Sequence, residues 1–237
     1  MSEYLLMVFE DETAHASRPP KAVADQIAEE ATFAEGLRRA GKLKDQGRLR
    51  PSKEGKRVRK VGERVRVEEG PFAEQGRVLG SYAWLEASDR EHAGELARSY
   101  PVHASDAVEI RPIMKGRVEA DKDHKPGKIF AFGVLGAAEN EEGWVTVMDR
   151  VEAETRDRFG GEGFLGGLRL EPPRTGQRVA PVDGRRAMFD GPFLESKEVI
   201  GGLFFIRMRS MDEAVRWASE SRFVIHGVLE IRELWRI

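Results

Sequence analysis

Residues 3–9, EYLLMVF, are apolar almost without a break and too few for an ordinary helix, so they read as a buried strand. Pro19-Pro20 then opens a helix, because proline is tolerated in a first turn. Ala24, Ile27, Ala28, Ala31, Ala34 and Leu37 share one face at helical spacing, and Gly41 ends the run. Residues 43–49, 57–60 and 64–67 are strand-like, the last two joined by a turn at Val61-Gly62-Glu63. Residues 78–86 form a further strand, with Tyr82 and Trp84 in alternation. Ser88 or Asp89 caps a second helix whose Ala93, Leu96 and Ala97 face inward, and residues 107–113 close the pattern as a strand. The order strand, helix, strand, hairpin, strand, helix, strand is that of the split βαβ, ferredoxin-like motif.

The whole pattern then repeats. Gly70-Pro71-Phe72 lies over Gly191-Pro192-Phe193 at an offset of 121 residues. Without a gap the same offset matches Glu74 to Glu195, Gly80 to Gly201, Ala97 to Ala218 and Glu109-Ile110-Arg111 to Glu230-Ile231-Arg232. Near the two starts, YLLMVF (4–9) against IFAFGV (129–134), the offset drifts to about 125. In the second copy Asp183-Gly184 is a strong hairpin signal, and Ser210 with Glu213 reads as a capping box. Its first helix is expected over 142–159, and Gly166-Gly167 within its second strand suggests a bulge or close packing. Two copies of over 100 residues argue for two similar domains, 1–114 and 128–237, joined by a charged linker, 115–127, that ends in Pro126-Gly127. An antiparallel sheet with helices on one face needs cover on the other. The expected fold class is therefore α+β, with tandem ferredoxin-like repeats forming an intramolecular version of a dimeric α+β barrel.

Composition narrows the function. Net charge is −2, which leaves no footprint for nucleic acid or an anionic membrane. The basic run from Lys53 to Arg66 is interleaved with Val58, Val61 and Val65, so it reads as the solvated face of a hairpin. The absence of cysteine excludes disulfides, thiolate nucleophiles and zinc–cysteine sites. No apolar run is long enough to span a membrane, and the start of the chain does not read as a signal peptide, so a cytoplasmic location is the expectation.

The segment DGPFLESKEVIGG (190–202), followed by an aromatic strand, the helix DEAVRWA and a final EIR strand, closely resembles the YCII-related, or DGPF-domain, family. In the first repeat the segment reads EGPFAEQGRVLGS (69–81), with Glu69 in place of the aspartate and Gly76-Arg77 in place of the lysine–glutamate pair. The resemblance implies a ferredoxin-like α+β barrel. Some enzyme-like relatives are similar in carrying a histidine–aspartate pair with the histidine on the first helix, and one branch resembles a dehydrochlorinase. Members of the DGPF branch often accompany sigma factors of the extracytoplasmic-function class.

Candidate chemistry follows from residue types. Asp190, at a strand end with Glu195 and Lys197 nearby, suits a general base or ligand anchor; turn punctuation, with the carboxylate capping backbone amides, is the structural alternative. Glu195, His226 and Asp190 are the catalytic candidates. Arg232 and Arg111, present in both EIR segments, suit an anionic ligand or an ion pair to Glu195 and Glu74. With Lys197, Tyr82 and Glu69 they make the candidate binding set, beside an aromatic lining of Trp84, Phe205 and Phe193 or Phe72. Neither expected first helix, 21–40 or 142–159, carries a histidine, so the pair implied by the resemblance is not expected here, although His15 stands just before the first helix and could fold back. The scattered histidines give no metal-ligand spacing, and no glycine-rich phosphate loop occurs, so neither metal nor cofactor is expected.

The expected function is binding of a small molecule within the barrel, with cofactor-independent acid–base chemistry of the lyase or isomerase kind. The competing expectation is an accessory or regulatory protein without chemistry, linked to a sigma-factor system. The only other expected partner is a second copy, the chain being a monomeric pseudo-dimer or a homodimer. Because the second repeat keeps the full motif, it is the half expected to hold a site.

Overall fold

The computed structural model of the chain describes residues 1–72, 77–119, 126–137, 152–159, 163–191 and 198–235. The first repeat runs β1 (Ser2–Glu10), α1 (Glu12–Ala16), α2 (Pro20–Arg39), β2 (Leu43–Leu49), β3 (Lys56–Val61), β4 (Arg64–Glu69), β5 (Val78–Ala87), α3 (Arg90–Ser99) and β6 (Ala107–Val118). The second runs β7 (Lys128–Ala137), the helical segment α4 (152–159), β8 (Phe164–Leu170), β9 (Gln177–Val182), β10 (Arg185–Asp190), β11 (Glu198–Met208), α5 (Met211–Glu220), α6 (Phe223–His226) and β12 (Val228–Trp235). β6 continues through Lys115–Val118, into the stretch expected as linker. Part of the helix expected over 142–159 lies outside the described residues.

In each repeat the four long strands pair antiparallel in one order, β2-β5-β1-β6 and β8-β11-β7-β12. That is the ferredoxin-like order. The chain is an α+β protein built from two such sheets.

The hairpins do not stay with their own repeats. β9 pairs with β6, Val108 opposite Val179, so that β9–β10 extends the first repeat's sheet. β3 pairs with β12, Leu229 opposite Val58, so that β3–β4 extends the second repeat's sheet. Two compact units result, each carrying the other repeat's hairpin: 1–48, 73–113 and 173–195 in one, 49–72, 114–172 and 196–237 in the other. The repeated Gly-Pro-Phe segment follows each hairpin, and Gly70 and Gly191 donate their backbone N–H to Gly55 O and Gly176 O. Gly55 and Gly176 are in turn covered by the two repeated arginines. A Cβ on Gly55 would stand 2.5 Å from Arg232 Cδ, and one on Gly176 would stand 3.4 Å from Arg111 Cγ. The two repeated glycines thus close the bases of the two exchanged hairpins.

In the first unit, Leu6, Val8, Leu85, Val108, Ile110 and Val179 pack under Leu37, Ala93 and Ala97. α3 lies so close to the incoming hairpin that a Cβ on Gly94 would meet Gln177 Oε1 at 2.7 Å. Arg186 from β10 donates to Ala97 O and Tyr100 O, satisfying the carboxyl end of α3. Asp89, rather than Ser88, caps α3 by accepting from His92 N at 2.8 Å. In the second unit, Phe132, Phe204, Trp217 and Phe223 form a stacked and edge-to-face aromatic core with Val58 of the exchanged hairpin. Ser210 caps α5, while Glu213 reaches back to Arg209 N rather than to the cap's own amide. Gly166 has φ +121°, and a Cβ there would lie 1.9 Å from Arg117 O, so the expected close approach is present.

The expected inward face of α2 is partly wrong. Ala34 and Leu37 are buried, but Ala24, Ala28 and Ala31 are exposed, and Gln26 is turned inward instead. The helix is rotated toward polar side chains because the sheet beneath its first half presents a buried arginine. No helix among the described residues is long and apolar enough to cross a membrane.

Candidate functional site

β1 ends in Glu10, and Asp11 immediately caps α1 by accepting from Ala14 N at 2.9 Å. This single turn of helix brings His15 back over the sheet end. Its Nε2 lies 2.9 and 3.0 Å from the two carboxylate oxygens of Asp106, the residue before β6. The Asp106 side chain is fully buried and also accepts from Asp11 N at 3.2 Å, so it is held from two directions. With Nε2–H donating to Asp106, the lone pair of the neutral imidazole sits on Nδ1, which is 3.9 Å from Glu10 Oε2.

Below the histidine lies a buried ionic network. Arg48 of β2 pairs with Glu10 through Nη2 and with Glu30 of α2 through Nη1, the latter at 3.1 Å. Gln26 donates to Glu30 at 2.9 Å, and Arg18 donates to Gln26. Gly80 makes room for this arrangement, because a Cβ there would lie 2.1 Å from Glu10 Cδ. His103 stands edge-on to His15 with ring centroids 5.7 Å apart, its Nδ1 2.7 Å from Ser105 Oγ.

The electrostatics follow from these contacts. The hydrogen bond to Asp106 raises the pKa of His15 above its ordinary value, against the opposing effect of burial. Its contribution to stability is therefore full below the unfolded value of about 6.5 and is lost as pH rises through the higher folded value. Burial raises Glu10 and Glu30, with Arg48 opposing it in both. Burial lowers His103, helped by the charge of Arg18. Two histidines shifted in opposite directions thus stand beside the same buried carboxylate.

The residues that the sequence singles out lie elsewhere. Asp190, the last residue of β10, is exposed and pairs with Arg90 at 2.6 Å. Glu69, the last residue of β4, is exposed and pairs with Lys56. Arg111 is buried against Glu109. Arg232 is buried, bonded to Glu230 at 3.1 Å and to Arg50 O. Tyr82 is buried and donates to Asp45 at 2.8 Å; burial, then the Asp45 charge, push its pKa well up. Glu195 and Lys197 lie outside the described residues, as does the side chain of His226, which ends α6.

Two sequence expectations are corrected. A histidine–aspartate pair does exist, because α1 is a separate turn that the helical pattern of α2 concealed. A group of potential metal ligands also exists among the described residues: His15, His103 and Asp106 offer ligand atoms all within 4.8 Å of one another. The signal available in the sequence was Asp11-Glu12 ahead of His15, a capped turn directly after a strand. The pair belongs to the first repeat. At offsets of about 125 and 121 residues, asparagine (140) and Gly227 stand where the second repeat would need His15 and Asp106. The repeat with the worn Gly-Pro-Phe segment is the one that carries the dyad.

Comparison with known proteins agrees with the internal repeat. No curated protein matches the chain. Among solved structures, a candidate monooxygenase from Fusobacterium nucleatum subsp. nucleatum aligns over 98% of this chain and 92% of its own, with 8% identity and a TM-score of 0.47. A candidate chlorite dismutase aligns over 100% of this chain and 96% of its own, with 8% identity and a TM-score of 0.36. The YCII-related domain matches residues 5–117 and again 127–237. The chain therefore belongs to the YCII-related domain family, as two tandem copies.

Proposed function

We propose that the first unit is an acid–base site acting on a small molecule, with His15 as the proton carrier and Asp106 as the residue that orients and charges it. The observation that supports this reading most is the contact of His15 Nε2 with both oxygens of a fully buried Asp106. A buried carboxylate on one ring nitrogen fixes the tautomer and leaves the other nitrogen to take a proton. The reaction class is proton abstraction of the lyase or isomerase kind, carried by side chains. The fold that goes with it is the single-chain form of a dimeric α+β barrel, as a monomer or a pair of chains.

Enolisable small carbonyl compounds in heavy water provide the test, with deuterium incorporation followed by NMR. Wild-type protein is expected to accelerate exchange for members of such a panel. His15→Gln, folded by circular dichroism, is expected to lose roughly 100-fold or more of that rate, the usual scale for a positioned base. Exchange that survives in His15→Gln removes His15 from the chemistry.

A further inference from the structure

We infer that His15, His103 and Asp106 form a binding site for a divalent transition-metal ion such as zinc, cobalt or iron(II). Two imidazoles and one carboxylate are a recurrent ligand set for such ions, and three protein ligands leave positions open for water or an oxygen-bearing ligand. The inference goes beyond the acid–base reading and does not rest on it.

The geometry is close to that required. Ligand atoms at about 2.1 Å from an ion, at right angles to one another, stand roughly 3.0 Å apart. His15 Nε2 lies 2.9 and 3.0 Å from the Asp106 oxygens. The ligand atoms of all three residues fall within 4.8 Å of one another. Ser105 N–H donates to His103 Nδ1 at 3.3 Å, so the ring proton of the neutral imidazole is on Nε2; an ion on Nε2 would displace it to Nδ1, where Ser105 Oγ, 2.7 Å away, can accept.

The surroundings suit a cation. Asp106, Glu10 and Asp11 act on the two histidines from close by, while Arg48 is engaged by Glu10 and Glu30, and Arg18, Arg77 and Arg186 lie around the cluster. Glu10 also lies on the far side of the His15 ring, 3.9 Å from Nδ1. An ion on Nε2 would shift the ring proton to Nδ1, which faces Glu10 at ion-pair rather than hydrogen-bond distance. That carboxylate–histidine–metal order is the common outer arrangement of protein metal sites. In this form His15 no longer presents a free base, so metal-loaded and metal-free protein are different chemical species.

The test uses the full chain, freed of metal by chelation, titrated calorimetrically with zinc and by visible absorption with cobalt(II). One ion per chain is expected. His103→Gln and Asp106→Asn should each weaken it by about 100-fold, the upper end of what even an outer-shell residue costs. His92→Gln, at the start of α3 and outside the cluster, should leave affinity unchanged, and melting curves check that each variant is folded. Absence of binding, or affinity undiminished in His103→Gln, overturns the inference. The titration of the His15 imidazole in metal-free protein, which tests the acid–base reading, is independent of either result.

Discussion

A protease site placed between residues 119 and 126 leaves the two halves of the chain bound to one another after cleavage. This is expected because neither half owns a complete unit. Without β9, the β6 residues Val108 and Ile110 keep β1 on one side but lose Val179 and Gln177 on the other, and α3 loses the surface on which Gly94 rests. Without β3, β12 keeps β7 but loses its pairing with residues 56–59, and the aromatic core loses Val58. Unpaired buried backbone groups and bared apolar side chains are each costly. The cleaved protein should co-elute as one species of unchanged size under native conditions. Each half, separated in denaturant and refolded alone at low concentration, should show no cooperative unfolding transition. Halves that part on cleavage and refold separately would contradict the exchange.

Arg48→Met is expected to be the most damaging single substitution near the site, at about 3–5 kcal/mol, the usual cost of removing one partner from a buried ion pair. Arg48 is the cation shown between Glu10 and Glu30, and all three side chains are about nine-tenths buried. Losing it leaves two carboxylates facing each other beneath Asp106. Both are already raised by burial, so each then titrates higher still. A carboxylate whose folded pKa is raised is penalised more as pH rises above its unfolded value of about 4.3. The deficit of Arg48→Met, measured by urea unfolding, should therefore be larger at pH 7 than at pH 5. The triple variant with Glu10→Gln and Glu30→Gln should recover much of it. A deficit independent of pH would show that packing, not charge, sets the cost.

This network also explains what the sequence concealed. Strands, turns and caps followed local rules: Asp183-Gly184 takes the positive φ angles of a tight hairpin, and Trp217 faces the core at helical spacing. The repeat was legible because its two copies keep the same residues where Gly55 and Gly176 meet the arginines. The site was not, because its members break the apolar pattern. Gln26 and Glu30 look like solvent-facing positions on α2 until Arg48 is seen beneath them. His15 and Asp106 are 91 residues apart and are joined only by β1 and β6 lying side by side. The hairpin exchange was likewise invisible, since either sheet offers the same edge to either hairpin and periodicity does not choose between them.

The most direct test of the account is the pKa of the His15 imidazole, measured by NMR titration in wild-type protein and in Asp106→Asn. The account predicts a value above the ordinary histidine value of about 6.5 in the wild type. It predicts a value at or below the ordinary one in Asp106→Asn, where burial remains and the carboxylate does not. An unshifted His15 that ignores the loss of Asp106 would contradict the dyad on which the proposed function stands.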